Sequence, residues 1–139
     1  KVWYTRNTMD LPIALLSLIG FGIALYVHLA GAERTKFLCV FGEDCTTVIK
    51  SHFNHIFYLR NTWWGMIAFI VLFFSGVLAG VTHNETQYAF RLIEQATAIT
   101  AAVVGLYLTG VQIFILKKFC SWCLMANCIA IGISILLLY

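Results

Sequence analysis

The sequence has 139 residues, of which 61% are hydrophobic and 11% are charged, and its formal net charge is +3. Soluble domains contain only about 45–50% apolar residues, so this composition and a mean hydropathy of +0.88 exclude an ordinary water-soluble fold. We therefore expect a membrane protein in contact with the lipid bilayer, and no nucleic-acid partner. A single proline and the lack of a Ser/Gln-rich tract leave no flexible linker, so residues 1–139 are predicted to form a single domain.

Four long apolar stretches follow one another along the chain. The first covers about 9–30 and has Pro12 in its first turn, where the missing N–H costs nothing. The other three cover about 62–82, 88–116 and 119–139. Each can cross the ~30 Å hydrocarbon core as a helix that rises ~1.5 Å per residue. The sequence predicts an all-α membrane protein, a bundle of four transmembrane helices.

A long polar loop, residues 31–61, separates the first two spans. Within it, the stretch "VIKSHFNHIFY" has apolar residues at spacings that suit a short amphipathic helix on the bilayer surface. With four crossings, this loop and the turn before the fourth span emerge on the same face of the membrane. All the extramembrane cysteines are therefore predicted to meet on one side.

Four of the five cysteines form two pairs on that side. Cys120 and Cys123, in "CSWC", open the fourth span directly after two lysines. Cysteines three apart on a helix need only a small adjustment to form a disulfide, and a helix N-terminus beside cations stabilises the reactive thiolate. Cys39 and Cys45 lie in the loop beside two acids, where they are open to a visiting thiol or disulfide. The first pair suits reversible oxidation and the second suits a relay.

Other roles for these residues compete with the redox interpretation. Both pairs are also consistent with static disulfides. The four cysteines together are also consistent with a structural zinc site, although the five residues between Cys39 and Cys45 exceed the usual spacing of two to four. We expect no metal, and we expect Cys128, about 140° from Cys123 on a helix, to be a small buried hydrophobe. A carrier would need an intramembrane carboxylate, whereas Asp10, Glu85 and Glu94 are predicted to lie at span ends.

The order of these features resembles the vitamin K epoxide reductase family, in particular its prokaryotic disulfide-forming homologues. A long first loop with a cysteine pair precedes a CxxC that opens the fourth helix. The segment "CTTVIKS", 45–51, matches the family pattern Cys-x-x-Val-x-x-Ser and so singles out Val48 and Ser51. The resemblance covers about residues 9–139. It departs where "YLRNTWW" replaces a Gly-x-Pro turn and where animal members have a tyrosine at Asn127, which favours plain quinone reduction over epoxide reduction.

The resemblance implies a membrane thiol:quinone oxidoreductase that supports protein disulfide formation. Electrons would pass from a separate thioredoxin-like thiol protein to Cys39 or Cys45, from Cys45 to Cys120, and from Cys123 to a quinone in the bundle. The acceptor would be ubiquinone, menaquinone or a vitamin K-type quinone. The alternative is a non-catalytic membrane protein whose cysteines bind structural metal or form static disulfides.

Three residues are candidates for contact with the quinone. Asn127 lies one helical turn below Cys123 on the same face and is able to donate a hydrogen bond to a quinone oxygen, or alternatively to hold helices together. Trp63 and Trp64 are candidates for the walls of the slot, or for simple anchors at the membrane interface.

The orientation in the membrane is predicted differently by resemblance and by charge. Most family members place these cysteines outside the cytoplasm, where disulfides persist. The positive-inside rule favours the opposite, because six cations lie on the cysteine face against three on the other. The six are Arg34, Lys36, Lys50, Arg60, Lys117 and Lys118, and the three are Lys1, Arg6 and Arg91.

Overall fold

The computed structural model describes residues 10–32, 55–56, 59–82, 85–117 and 121–139. The four helices are α1 (Asp10–Ala32), α2 (Asn61–Val81), α3 (Glu85–Gly110) and α4 (Ser121–Leu138), and a π-helical segment (Val111–Leu116) extends α3. Each is long and apolar enough to cross a membrane. The predicted bundle of four membrane-spanning helices is confirmed, with helix ends close to those predicted.

The helices form a ring in which each one packs against its neighbours in the sequence. Contacts join α1 to α2, α2 to α3, α3 to α4, and α4 back to α1. Consecutive helices run antiparallel, so the C-termini of α1 and α3 meet the N-termini of α2 and α4 at one end. We call this the cysteine end, because Cys123 lies there, and the opposite end the distal end.

The interior contains medium-sized apolar side chains and small residues, whereas large apolar side chains cover the outside. Ile13, Leu72 and Ile133 are almost completely buried, and Ala98 and Ala130 allow close approach of α3 and α4 to their neighbours. Outward side chains include Leu18, Phe74, Val103, Leu106 and Ile135. Such a surface is unfavourable in water but matches lipid tails, so the bundle is an integral, multi-pass membrane protein.

A small hairpin lies immediately before α2. Strands β1 (His55–Ile56) and β2 (Leu59–Arg60) pair antiparallel, with His55 opposite Arg60 and Ile56 opposite Leu59. The amphipathic helix expected over 48–58 is therefore wrong at its described residues, 55–56, and the rest of it lies outside the described residues. Over so short a stretch, pairing with the neighbouring strand satisfies backbone groups without the cost of nucleating a helix.

A buried ion pair lies near the distal end. Arg91 Nη1 donates to Glu94 Oε2 at 3.0 Å, and the exposed fractions of the two side chains are 11% and 0%. Gly76 of α2 makes room for this carboxylate, because a Cβ there would meet Glu94 Oε1 at 3.0 Å. Glu94 was expected at a span end, and the structure instead places its carboxylate inside the bundle.

Candidate active site at the cysteine end

Cys123 lies in the first turn of α4 and is half-buried. Asn127, Ala130 and Ser134 follow it at four, seven and eleven residues, the spacing of one helical face. Ala130 and Ser134 are buried in the bundle. Cys123 therefore belongs to the inward stripe of α4, at the end where that stripe reaches the membrane surface.

The electrostatic surroundings of Cys123 favour a thiolate. The first-turn backbone N–H groups of a helix have no intrahelical acceptors and carry the positive end of the helix dipole. Lys117, which is exposed, adds a positive charge at the same end of the bundle. It adopts a left-handed conformation (φ 49°, ψ 29°) that ends the π-helical segment, and its N–H bonds to the carbonyl of Gln112. This is the setting in which a cysteine becomes nucleophilic.

Aromatic contacts tie α1 to the other helices around this site. The rings of Tyr26 and Trp122 lie 4.9 Å apart between centroids, which joins α1 to the residue before Cys123. His28 Nδ1 lies 3.1 Å from Thr62 Oγ1, and its ring stands edge-on to Trp63 with centroids 5.0 Å apart. No sequence pattern predicted the role of His28, because its partners come from α2.

Trp63 and Trp64 lie in the first turn of α2, at the cysteine end. Their exposed fractions are 45% and 38%, so both present surface to the outside of the bundle. This placement suits anchors at the membrane interface, and Trp63 also packs on His28. Their role as walls of a quinone slot stays a prediction.

Asn127 bridges α4 and α3. Its Nδ2 donates to Thr109 Oγ1 at 3.0 Å, and that hydroxyl in turn donates to the carbonyl of Gly105 at 2.8 Å. Gly105 lets the amide approach closely, because a Cβ there would lie 3.2 Å from Asn127 Oδ1. The interhelical role is thus present, and a contact between Asn127 and a quinone stays a prediction.

Cys128 is exposed, which corrects the expectation that it would be buried. The helical phase was predicted correctly, since Cys128 lies away from the inward stripe of Cys123. That other face carries Met125 and Ile135, both exposed, and so it faces lipid. A small apolar side chain is as acceptable there as in the interior, and composition could not distinguish the two.

The remaining members of the predicted electron path lie outside the described residues. They are Cys39, Cys45 and Cys120, together with the loop-motif residues Val48 and Ser51. Within the described ranges, no three His, Cys, Asp or Glu side chains come together as a metal site. The structure therefore positions one of the four redox candidates, Cys123.

Gln112 is a polar residue of this region that the sequence analysis did not identify. It lies in the π-helical segment and is buried. Continuation of the buried stripe of α3 from Ala98 and Gly105 at helical spacing would have pointed to it. In the sequence it sits inside an apolar run, where a single amide is easily passed over.

Comparison with known proteins identifies the family. The model of the vitamin K epoxide reductase family matches residues 11–138. Among curated proteins, no sequence matches the chain significantly. Family members are membrane oxidoreductases that connect thiols and quinones. Because the match runs from the second residue of α1 to the last residue of α4, this chain belongs to the vitamin K epoxide reductase family.

Proposed function

We propose that the chain is a membrane thiol:quinone oxidoreductase that supports protein disulfide formation. Electrons enter at Cys39 and Cys45, pass to Cys120 and Cys123, and leave to a quinone. The observation that carries the proposal is the place of Cys123: a half-buried thiol in the first turn of α4, on the stripe that faces the bundle. A thiol there stands at the boundary between the membrane surface and the apolar interior of the bundle.

The thiol chemistry proceeds by exchange through mixed disulfides. The Cys45 thiolate attacks Cys120 Sγ, which forms a Cys45–Cys120 disulfide, breaks the Cys120–Cys123 bond and releases the Cys123 thiolate. Cys39 then attacks Cys45, which closes the loop disulfide and returns Cys120 as a thiol. The reduced Cys120–Cys123 pair gives two electrons and two protons to the quinone and becomes a disulfide again. A partner dithiol then reduces the Cys39–Cys45 disulfide to two thiols and is itself oxidised to a disulfide.

The proposed electron-accepting substrate is a quinone whose headgroup binds in the interior next to Cys123. Such ligands bind in apolar slots with a few well-placed polar groups. The cysteine end combines an apolar bundle with the amide of Asn127, which has two N–H donors and uses one on Thr109. Trp63 and Trp64 would border the slot on the lipid side. The acceptor class is ubiquinone, menaquinone or a vitamin K-type quinone.

The electron donor in this proposal is a separate thioredoxin-like protein. Exchange with its dithiol needs an exposed disulfide in an aqueous loop, and Cys39 and Cys45 stand in the polar segment between α1 and α2. The two acids between them disfavour a resident thiolate, which suits a disulfide that accepts attack from outside.

Two opposed arguments bear on the side of the membrane on which the cysteine end lies. The family resemblance favours the extracytoplasmic side, and the six Lys and Arg of that face favour the cytoplasmic side. Arg91, one of three cations counted on the distal face, is buried in an ion pair rather than placed in a loop, which strengthens the charge argument. A reporter that is active only outside the cytoplasm, fused after Tyr139, distinguishes the two: activity places the cysteine end inside.

The proposed function is tested by anaerobic mixing of fully reduced, detergent-solubilised protein with a soluble quinone. We expect stoichiometric loss of quinone absorbance together with loss of two alkylatable thiols per quinone. Absence of both changes in folded protein would contradict the proposal. In that case, about one zinc per chain released on thiol alkylation would establish a structural metal site instead.

A further inference from the structure

His28 joins α1 to α2 at the cysteine end of the bundle, one turn before α1 ends at Ala32. Its Nδ1 atom lies 3.1 Å from Thr62 Oγ1, in the first turn of α2. Its ring also stands edge-on to Trp63, with centroids 5.0 Å apart. A hydrogen bond and a ring contact thus connect the last turns of α1 with the beginning of α2.

This contact is the last of a regular series between the two helices. A Cβ at Gly20 would overlap the Phe69 ring, and a Cβ at Gly65 would lie 3.9 Å from the Ala24 Cβ atom. Gly20, Ala24 and His28 follow one another at intervals of four residues, the spacing of one helical face. The first two contacts are made by apolar groups, as is usual where helices pack in a membrane. His28 is the polar exception, so packing alone does not account for it.

The hydroxyl of Thr62 is available to α1 because of its position in α2. The hydroxyls of Thr100 and Thr109 each donate to the carbonyl four residues earlier in their own helix. Thr62 is the second residue of α2, so no carbonyl of that helix precedes it by four residues. A threonine at this position therefore bonds to another helix without losing a bond to its own.

The two partners stand at the ends of the segment that carries the loop cysteines. His28 and Thr62 are 34 residues apart in the sequence, and Cys39 and Cys45 lie between them. Strand β2 (Leu59–Arg60) leads directly into α2, so the contact lies where the chain returns to the bundle. A bond between the two ends of a segment reduces the number of conformations open to the residues between them.

The same end of α1 also contacts the CxxC. Tyr26, two residues before His28, packs on Trp122 with ring centroids 4.9 Å apart, and Trp122 lies between Cys120 and Cys123 in the sequence. The end of α1 is thus joined to the CxxC by one side chain and to the beginning of α2 by another. Because exchange between two sulfurs depends on how often they meet, an element that is tied to both segments is suited to control it.

We propose that His28, through its bond to Thr62, is a positioning residue that holds the cysteine-bearing segment near the CxxC for thiol exchange; this rests on the proposed function. In that step the Cys45 thiolate attacks Cys120 Sγ, the Cys45–Cys120 bond forms, and the Cys120–Cys123 bond breaks and releases the Cys123 thiolate. His28 takes up no electron and no proton in this step. It raises the effective concentration of one sulfur at the other.

The test measures this effective concentration without quinone and without a partner protein. In the background Cys39→Ser/Cys123→Ser/Cys128→Ser, only Cys45 and Cys120 remain to form a disulfide. The full-length protein in detergent is equilibrated with reduced and oxidised glutathione, its remaining thiols are alkylated, and the disulfide is quantified by mass spectrometry. The equilibrium constant against glutathione is the effective concentration of the two thiols.

In this background, His28→Leu should lower the effective concentration roughly 2- to 10-fold, the equivalent of one neutral hydrogen bond. Thr62→Val, which removes only the hydroxyl, should lower it by a similar factor. The double variant should lose no more than either single variant, because both changes remove the same bond. His28→Asn keeps a hydrogen-bonding atom at the place of Nδ1 and should recover most of the loss.

Thr100→Val is the matched control, because it removes an exposed hydroxyl that bonds within α3, and it should leave the effective concentration unchanged. A thermal melt in detergent verifies that each variant folds, and Thr62→Val decides the outcome if His28→Leu does not. With all native cysteines present, reduced His28→Leu should reduce quinone in a single turnover at the wild-type rate, because the Cys120–Cys123 pair then gives its electrons directly.

An unchanged effective concentration in folded His28→Leu and Thr62→Val would overturn the inference. An equal loss in Thr100→Val, or an equal loss in the single-turnover rate of His28→Leu, would also overturn it, because either would indicate a general effect on packing. The proposed function fails separately, through absence of quinone reduction by the wild-type protein. The equilibrium with glutathione needs no quinone and decides the role of His28 in that case too.

Discussion

Two cysteines of the same helix have opposite surroundings. Cys123 lies on the inward stripe of α4 at its N-terminus, where first-turn N–H groups favour a thiolate. Cys128, five residues later, lies off that stripe and is exposed on the side that carries Met125 and Ile135. The same side chain is thus expected to be reactive at one position and inert at the other.

We therefore predict that Cys123→Ser reduces quinone reduction to background, because a serine hydroxyl neither forms a disulfide nor ionises near neutral pH. Cys128→Ser is the matched control on the same helix, and it should retain the wild-type rate. Anaerobic quinone reduction by each reduced variant checks both outcomes. Normal turnover by Cys123→Ser would remove this residue from the electron path.

Asn127 illustrates how a residue predicted from spacing acquires a partner from the fold. Its position one turn from Cys123 was predicted from the sequence, and so were its two possible roles, a contact with a ligand or a bond between helices. The bond to Thr109 could not be predicted, because it depends on the register of α3 against α4. The same register makes Gly105 necessary opposite the amide.

At the scale of the helices, glycines decide how closely α1 and α2 approach. A Cβ at Gly20 would overlap the Phe69 ring. A Cβ at Gly22, two residues later on the same helix, would meet nothing within 4 Å. Phe69 is itself buried in the core of the bundle and cannot easily move aside.

Gly20→Ala should therefore destabilise the protein by about 1–3 kcal/mol, the usual cost of overpacking a filled core. Gly22→Ala should leave stability unchanged or raise it, because alanine is the better helix former. Unfolding of both variants in mixed detergent micelles gives the comparison. Equal stability of the two would show that the Phe69 ring does not lie against Gly20.

The segment before α2 shows the limit of periodicity at this scale. Over "VIKSHFNHIFY", helical spacing of apolar residues predicted a surface helix, yet His55–Ile56 pairs with Leu59–Arg60 as a hairpin. In a stretch of this length, few positions distinguish a period of 3.6 from a period of 2. In the spans, the long apolar runs leave no such ambiguity. The helix ends lie within three residues of those predicted when the π-helical segment is counted with α3.

At the scale of the whole molecule, the two ends of the bundle carry different polar groups. The cysteine end has Cys123, Asn127 and Gln112, while the distal end has the Arg91–Glu94 pair. Burial of both partners means that removing one leaves the other charged in an apolar interior. The distal pair is therefore expected to matter for stability and little for quinone chemistry.

Glu94→Leu should destabilise the protein by about 3–5 kcal/mol, the range for removal of one partner of a buried ion pair. The double variant Arg91→Leu/Glu94→Leu should recover most of this loss, because no uncompensated charge remains. Glu85→Leu, which changes an exposed acid of the same helix, is the control and should resemble wild type. Unfolding in mixed micelles measures all three, and a fully stable Glu94→Leu would contradict the description of this pair.

The sequence by itself determined the class of the protein, its four spans, the order of its cysteines and its family. These depend on composition, on the length of apolar runs and on local spacing, all of which act along the chain. Only the tertiary structure decided that Glu94 lies inside the bundle, that Asn127 bonds to Thr109, that Cys128 faces lipid and that Gln112 is buried. In a chain that is apolar almost throughout, hydrophobicity no longer distinguishes inside from outside. Packing of one helix against another makes that distinction, and it is set by the register between helices far apart in the sequence.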